Sequence, residues 1–289
     1  LIGSSVHGRG RHRSTRRRAA WLVAALLQAV TAAPALAAPE GLRPLDRARV
    51  AIGPFAKDND LRLRVDDRTG LPGDEFSGRR DLGLDGGSRE TFREFALSWD
   101  REHQLHARRF AFVETGGGVL ATTLRVGDDI WPIGAEAEGR LRVVVETVGH
   151  TWFPVSDDRM AIGVGLGLVR YRVDGRIDGR VETTGLGDDF SLDFAESAWA
   201  PQLGLEWVGV AGERWRVGLG AAWVRRPGGS VTGHAFGASA RVEWFPTRHA
   251  GLALRWQQND LDLEVDRSAL SGRLRFRTRG PMVLGTVRF

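Results

Sequence analysis

The chain has 289 residues, 41 Lys+Arg against 36 Asp+Glu, and no cysteine, which excludes both a disulfide framework and a thiolate metal site. Its basic excess is uneven: residues 1–37 carry six arginines and no acid, so removing them takes Lys+Arg from 41 to 35 against 36 Asp+Glu, a net charge of −1. The pI of about 10.8 therefore reports the leading segment and makes no case for nucleic-acid binding by the rest.

That leading segment runs from Arg9, Arg11, Arg13, Arg16, Arg17 and Arg18 into the apolar stretch Ala19–Val30 and then Ala35-Leu36-Ala37. This is the basic, apolar and small-residue order of a secretory signal peptide, with cleavage expected before Ala38. The apolar run falls short of the roughly 20 residues of a spanning helix. No later segment is apolar for that length either, so any crossing of a membrane by residues 38–289 must use strands.

After a lead-in over 38–45, ten strands are predicted, near 48–65, 91–99, 104–113, 140–153, 160–173, 198–210, 215–225, 231–245, 251–265 and 273–289. Short polar turns at Asp100-Arg-Glu-His103, Ser156-Asp-Asp-Arg159, Gly212-Glu-Arg214 and Pro246-Thr-Arg-His249 alternate with longer Gly- and Asp-rich connections around 69–89, 116–138 and 174–196. Alternating short turns and long loops is the pattern of an all-β, antiparallel up-and-down transmembrane barrel. Eight strands is the alternative, since the first long segment and its partner are the least regular.

Face composition separates a membrane barrel from a soluble one. Trp215, Val217, Leu219, Ala221 and Trp223 alternate with Arg216, Gly218, Gly220 and Ala222; Phe236, Ala238, Ala240, Val242 and Trp244 alternate with Gly237, Ser239, Arg241 and Glu243. An arginine facing lipid at mid-bilayer costs about 2–4 kcal/mol, so the charged faces are predicted to turn inward and the apolar faces outward. Trp99, Trp152, Trp207, Trp215 and Trp244, with Phe153, Phe245 and Phe289, lie near the short turns and read as an interfacial aromatic girdle.

The final ten residues, Gly280-Pro-Met-Val-Leu-Gly-Thr-Val-Arg-Phe289, place Val283, Gly285, Val287 and Phe289 on one face. This pattern resembles the C-terminal signature of Gram-negative outer-membrane β-barrels. The resemblance implies an outer-membrane location, lipid and lipopolysaccharide as surroundings, and recognition of the last strand by the barrel-assembly machinery. Residues 61–75, with Asp81-Leu-Gly-Leu-Asp85, look like a family of proteobacterial outer-membrane barrel proteins with no assigned activity.

Arg142, Glu146, Glu206, Arg216, Arg241, Glu243 and Arg255 are expected on inward faces, where arginine and carboxylate side chains can pair and fill the lumen. A narrow solute path lined by the same charges is the alternative. His150 is placed on the inward face of Glu146. Arg273, Arg275, Arg277 and Arg279 form a ladder expected to stand above the membrane, near lipopolysaccharide phosphates, with Pro281 allowing a register break before Phe289.

His234 falls opposite Asp262 and near Asp260 when the hairpin is reflected about Arg248, and a rim His beside carboxylates can activate water or a nucleophile. Ten strands and such a rim are similar to the omptin outer-membrane proteases, although no omptin motif matches here residue by residue. Asp128-Asp129 and Asp188-Asp189 read as solvated loop tips rather than calcium ligands, and Asp58-Asn-Asp60 lacks the rest of an EF-hand loop. No cofactor or metal is expected. Structural or surface interaction with a filled lumen, a narrow channel and a rim hydrolase are the three functions the sequence leaves open.

Overall fold

A computed structural model describes residues 41–66, 73–81, 83, 90–120, 123–126, 129–183, 186–229, 231–266 and 271–289. The expected signal peptide and Asp128 lie outside these residues, as do the side chains of Asp129, Asp188 and Asp189. The strands are β1 (Ala48–Phe55), β2 (Asp58–Asp66), β3 (Glu75–Ser77), β4 (Glu90–Ser98), β5 (His103–Val119), β6 (Leu124–Val126), β7 (Asp129–Trp131), β8 (Glu136–Ser156), β9 (Met160–Thr183), β10 (Leu186–Ala211), β11 (Trp215–Arg226), β12 (Val231–Trp244), β13 (Ala250–Asp266) and β14 (Ser271–Arg288), with one helical turn α1 (Gly78–Asp81) after β3.

Neighbours pair antiparallel in the order β1-β4-β5-β8-β9-β10-β11-β12-β13-β14, and β14 returns to pair with β1, which closes a ring of ten wall positions. The predicted first strand is two: β1 pairs with the lower part of β14 and β2 with its upper part, interrupted at Ala56 and Lys57. The Ala56 carbonyl presses on β14 at Gly280, where a Cβ would lie 2.0 Å from that oxygen, so the break needs glycine opposite it. The connections predicted over 174–196 and much of 116–138 are strand: β9 and β10 run together to Thr183 and Leu186, and a small β6–β7 hairpin sits between β5 and β8.

All four short turns fall between paired strands, and in two of them an aspartate caps freed backbone groups. Asp100 accepts from the backbone N–H groups of Glu102 and His103, at 2.8 and 2.6 Å, and Asp157 from those of Arg159 and Met160, at 2.7 and 2.8 Å. Those backbone bonds hold the Asp157 carboxyl below its usual range.

Polarity reverses partway along the strands. On β9, Ile162, Val164, Leu166 and Leu168 are exposed while Gly163, Gly165 and Gly167 line the inside; above Leu168 the outward residues are Arg170, Arg172 and Arg176, and Val169, Val173 and Ile177 are buried. On β14, Val283, Val287 and Phe289 face out over buried Thr286 and Arg288, whereas higher up Arg275, Arg277 and Arg279 face out over buried Leu274 and Phe276. The lower zone is a membrane barrel, apolar outside. The upper zone is a water-facing collar with an apolar interior.

Two aromatic levels bound the lower zone. Trp215 and Trp244 meet near the short turns with ring centroids 6.3 Å apart, and Trp199, Trp223, Phe236 and Trp256 face out near the collar. Trp215 and Trp223 are eight residues apart on β11, roughly 26 Å along the strand at about 3.3 Å per residue. At the tilt of about 35–45° found in such barrels that is a height of about 19–22 Å, within a few ångströms of their apolar band of about 25 Å.

Inside the wall, Gly218 leaves the space that Arg241 fills: a Cβ there would lie 2.7 Å from Arg241 Nε. Gly218→Val is expected to destabilise the barrel by about 1–3 kcal/mol through overpacking. The check is a lowered unfolding midpoint in urea, against an unchanged midpoint for Leu219→Val on the lipid side.

Candidate functional site

Alternation sends one residue in two into the lumen, and in the lower zone those residues are charged. Glu94 on β4 accepts from three guanidiniums: Arg49 of β1, Arg108 of β5 at 2.7 Å and Arg255 of β13 at 2.7 Å. Glu243 on β12 holds Arg216 of β11 and Arg49, the latter at 2.6 Å. Glu206 on β10 accepts from Arg241 at 2.9 Å. Asp46 ties Arg216 at 2.7 Å to Arg288 at 3.1 Å. The result is one connected layer from β1, β4, β5, β10, β11, β12, β13 and β14, with Arg216 and Glu243 each 1 % exposed.

Below that layer the chain itself forms a floor. Leu42, Pro44 and Asp46 are buried, and Arg216 donates to the carbonyls of Arg43 and Pro44, both at 3.3 Å. Phe245 lies under Arg216 and Arg288, with its ring centroid 5.0 and 4.9 Å from their guanidinium carbons. Above, the Arg255 guanidinium rests on Phe92 at 5.1 Å, and Phe92, Phe110, Phe112, Phe55 and Phe276 continue as a stack with centroids 5.0–6.3 Å apart.

Glu206, Arg216, Arg241 and Glu243 thus lie inside the barrel in one chain of contacts, and Arg255 joins them through Glu94. Arg142 and Glu146 do not join them. Both are on the outward face of β8, where Glu146 meets Arg109 at 3.1 Å and Arg170 at 3.8 Å, because at that height water rather than lipid lies outside and Val143 and Val145 take the interior. His150 also turns outward: its Nε2 is 3.1 Å from His103 Nδ1, and both rings stack with Trp99 at 5.4–5.5 Å.

Trp99 and Trp152 are about half exposed on the outer face, Phe289 is 69 % exposed, and Trp207, Trp215 and Trp244 are part-buried there among their neighbours. Phe153 and Phe245 are not in that girdle. Both are fully buried, since each follows an outward Trp by one residue and so points into the lumen.

The Arg273–Arg279 ladder faces outward on the same side of β14 as Phe289, so Pro281 shifts no register. Its members are matched by acids: Arg273 with Asp262 at 2.6 Å, Arg275 with Glu75 at 3.5 Å, Arg277 with Asp260, and Arg279 with Asp58 at 3.4 Å. His234 is opposite Asp262, on the collar's outer surface. Asp262 accepts two hydrogen bonds from Arg273, at 2.8 and 2.6 Å, which hold its carboxyl below the usual range and commit it to the arginine rather than to the imidazole.

Asp46, Arg49, Glu94, Arg108 and Arg288 are the members of the layer that sequence reasoning passed over. Four of them carried a usable signal, because each alternates with outward residues on its own strand; Glu94 lies between Arg93 and Phe95, and Arg288 between Val287 and Phe289. Asp46 precedes β1 and had none.

No family model and no curated protein matches the sequence. Among solved structures the barrel is similar to the outer membrane protease OmpT from Escherichia coli, with 10 % identity, a TM-score of 0.59, and coverage of 86 % of this chain and 99 % of that one. The translocator domain of the autotransporter NalP from Neisseria meningitidis (10 % identity, TM-score 0.40, 95 % and 97 % coverage) and Ail of Yersinia pestis (11 %, 0.33, 84 % and 97 %) also align. The closed ten-position ring, its apolar outer belt and this likeness of fold define an integral outer-membrane β-barrel.

Glu94→Gln would leave Arg49, Arg108 and Arg255 without their shared carboxylate. Removing one member of a buried ion network costs about 3–5 kcal/mol, whereas an exposed pair contributes about 0–1 kcal/mol. The urea midpoint is therefore expected to fall sharply for Glu94→Gln and hardly at all for Glu146→Gln.

Proposed function

We propose that the protein is a non-conducting barrel that acts through its raised collar, as a structural or surface-interaction component of the outer membrane. The observation that supports this reading is that side chains from opposite walls meet across the lumen at two heights, in the ion-paired layer and in the phenylalanine stack resting on it. An ion crossing would have to strip its water against apolar rings and then part arginines from carboxylates. Purified protein in planar bilayers should be electrically silent; regular step conductance from the wild type would overturn the reading. A rim hydrolase finds less support, because His234 and Asp262 face outward and Asp262 is already taken by Arg273.

Lipopolysaccharide phosphate is the outer-leaflet chemistry that the wall best suits, on the side opposite in charge balance to the Arg273–Arg279 ladder. Arg93 and Arg109 are directly cross-strand, with Arg170 and Arg172 nearby and Glu146 as the acid between them. Like charges placed opposite each other are destabilising unless an anion lies between. Arg170 also covers Trp199 at 5.7 Å, one step above the outward row of Phe95, Val148 and Leu168. Replacing Arg93, Arg109 and Arg172 by Gln should reduce co-purifying lipopolysaccharide several-fold, while the same change at Arg275 and Arg277 should leave it unaltered.

A further inference from the structure

Above the charged layer the collar wall is interrupted on one side. β10 pairs with β9 without a register shift from Leu186 to Gly209, but its ladder with β11 begins only at Gln202, because β11 ends at Arg226. Pro201, which has no N–H to offer, stands where that ladder stops. Residues 186–199 therefore form an edge that no strand joins on the β11 side among the described residues.

The direction of the edge groups is fixed. The Trp199 carbonyl points away from β9 and accepts from Arg226 Nη1 at 2.7 Å, a guanidinium standing in for a strand. Backbone groups alternate in direction along a strand, so the N–H and C=O of Ser191, Asp193, Ala195 and Ser197 point to the same side, and all four residues are exposed. Free edges are ordinarily blunted by proline, lysine or a bulge. Residues 186–199 have no proline, no Lys or Arg, and four acidic residues. On the inner side of the edge lies an apolar hollow of about 640 Å³, openings included, lined by Tyr171, Phe194 and Ala198 of β9 and β10 and by Val231, Leu263 and Val265 of β12 and β13.

We propose that this edge binds an extended basic peptide, which joins the sheet as a further strand beside β10. Such a strand continues the wall position of β11 upward. Its main chain exchanges hydrogen bonds with Ser191, Asp193, Ala195 and Ser197, and its apolar residues at alternate positions turn toward the hollow beside Phe194. Lys or Arg between them meet an edge that carries acids and no base, including Asp193, which Arg176 holds only at 3.8 Å. The proposal rests on the reading of the collar as an interaction surface and gives that surface a partner chemistry.

The probe is a fluorescein-labelled Lys-Val-Lys-Val-Lys-Val-Lys peptide, followed by anisotropy with the full barrel in an uncharged detergent, against empty micelles. Saturable binding is expected. N-methylating every second peptide amide should weaken it about tenfold or more in one of the two frames and little in the other, because only one set of N–H groups faces β10. Ala195→Pro removes an edge N–H that β9 does not use, so the urea midpoint should hold while binding falls about tenfold or more. No saturable binding to the wild type, a methylation effect equal in both frames, or undiminished binding to Ala195→Pro would overturn the proposal. A barrel that is silent in bilayers but ignores the peptide overturns the edge site alone, whereas regular step conductance overturns the reading on which it rests.

Discussion

The medium outside the wall changes from hydrocarbon to water partway up each strand, and a strictly alternating backbone has to serve both. Because successive side chains point to opposite faces, no strand can change which residues face outward without a bulge. The chain instead changes composition. On β4 the outward residues pass from Leu97 and Phe95 to Arg93 and the inward ones from Ser98 and Glu94 to Phe92. On β13, outward Leu252, Leu254 and Trp256 give way to Gln258, Asp260 and Asp262, while inward Arg255 and Gln257 give way to Leu261 and Leu263. One cylinder is thus built from two solubility rules, and the boundary between them marks the outer edge of the membrane.

Enclosing charge in the lower zone follows from that arrangement. With apolar side chains committed to lipid, the interior must be filled by groups that reach across it and satisfy one another. Arginine suits this because its planar fork can address several acceptors at once. Arg216 contacts Glu243, Asp46 and two lead-in carbonyls; Arg49 bridges Glu94 and Glu243. Narrow bore makes the layer continuous, and glycine on the opposite wall gives the long side chains room. The upper zone has the reverse problem and the ordinary solution, an apolar core of Phe55, Phe92, Phe110, Phe112, Val143 and Val173 behind a charged surface.

Much of this was legible in the sequence. The ten wall positions, all four short turns, the inward Arg216, Arg241, Glu243, Arg255 and Glu206, and the pairing of His234 with Asp262 follow from alternation and turn chemistry. Arg142 and Glu146 did not, because applying the lipid rule along the full strand sends every charge inward, and only the height of a residue tells which rule governs it. Height is set by how far β8 and β9 extend beyond the apolar belt, and their Gly- and Asp-rich upper halves resemble loop. The role of Asp46 lay further out of reach: it depends on the lead-in folding back against Arg216 and Arg288, a contact between residues 46 and 288 that no local pattern encodes.

The same code explains why the lower lumen is ionic when an apolar filling would avoid the cost of desolvating charge. If both faces of β11 were apolar, sliding it by one residue against β12 would exchange one greasy face for another at little cost, and the register would be weakly specified. With Arg216 and Gly218 on one face and Trp215, Val217 and Leu219 on the other, a one-residue slip turns Arg216 out of the lumen to the interfacial level of Trp215 and separates it from Glu243, its cross-strand partner. Every inward charge on a neighbouring strand imposes a similar penalty on its own misalignment. The ion layer therefore does more than fill the bore. By making the two faces of each strand chemically irreconcilable, it selects the single register in which all ten wall positions close.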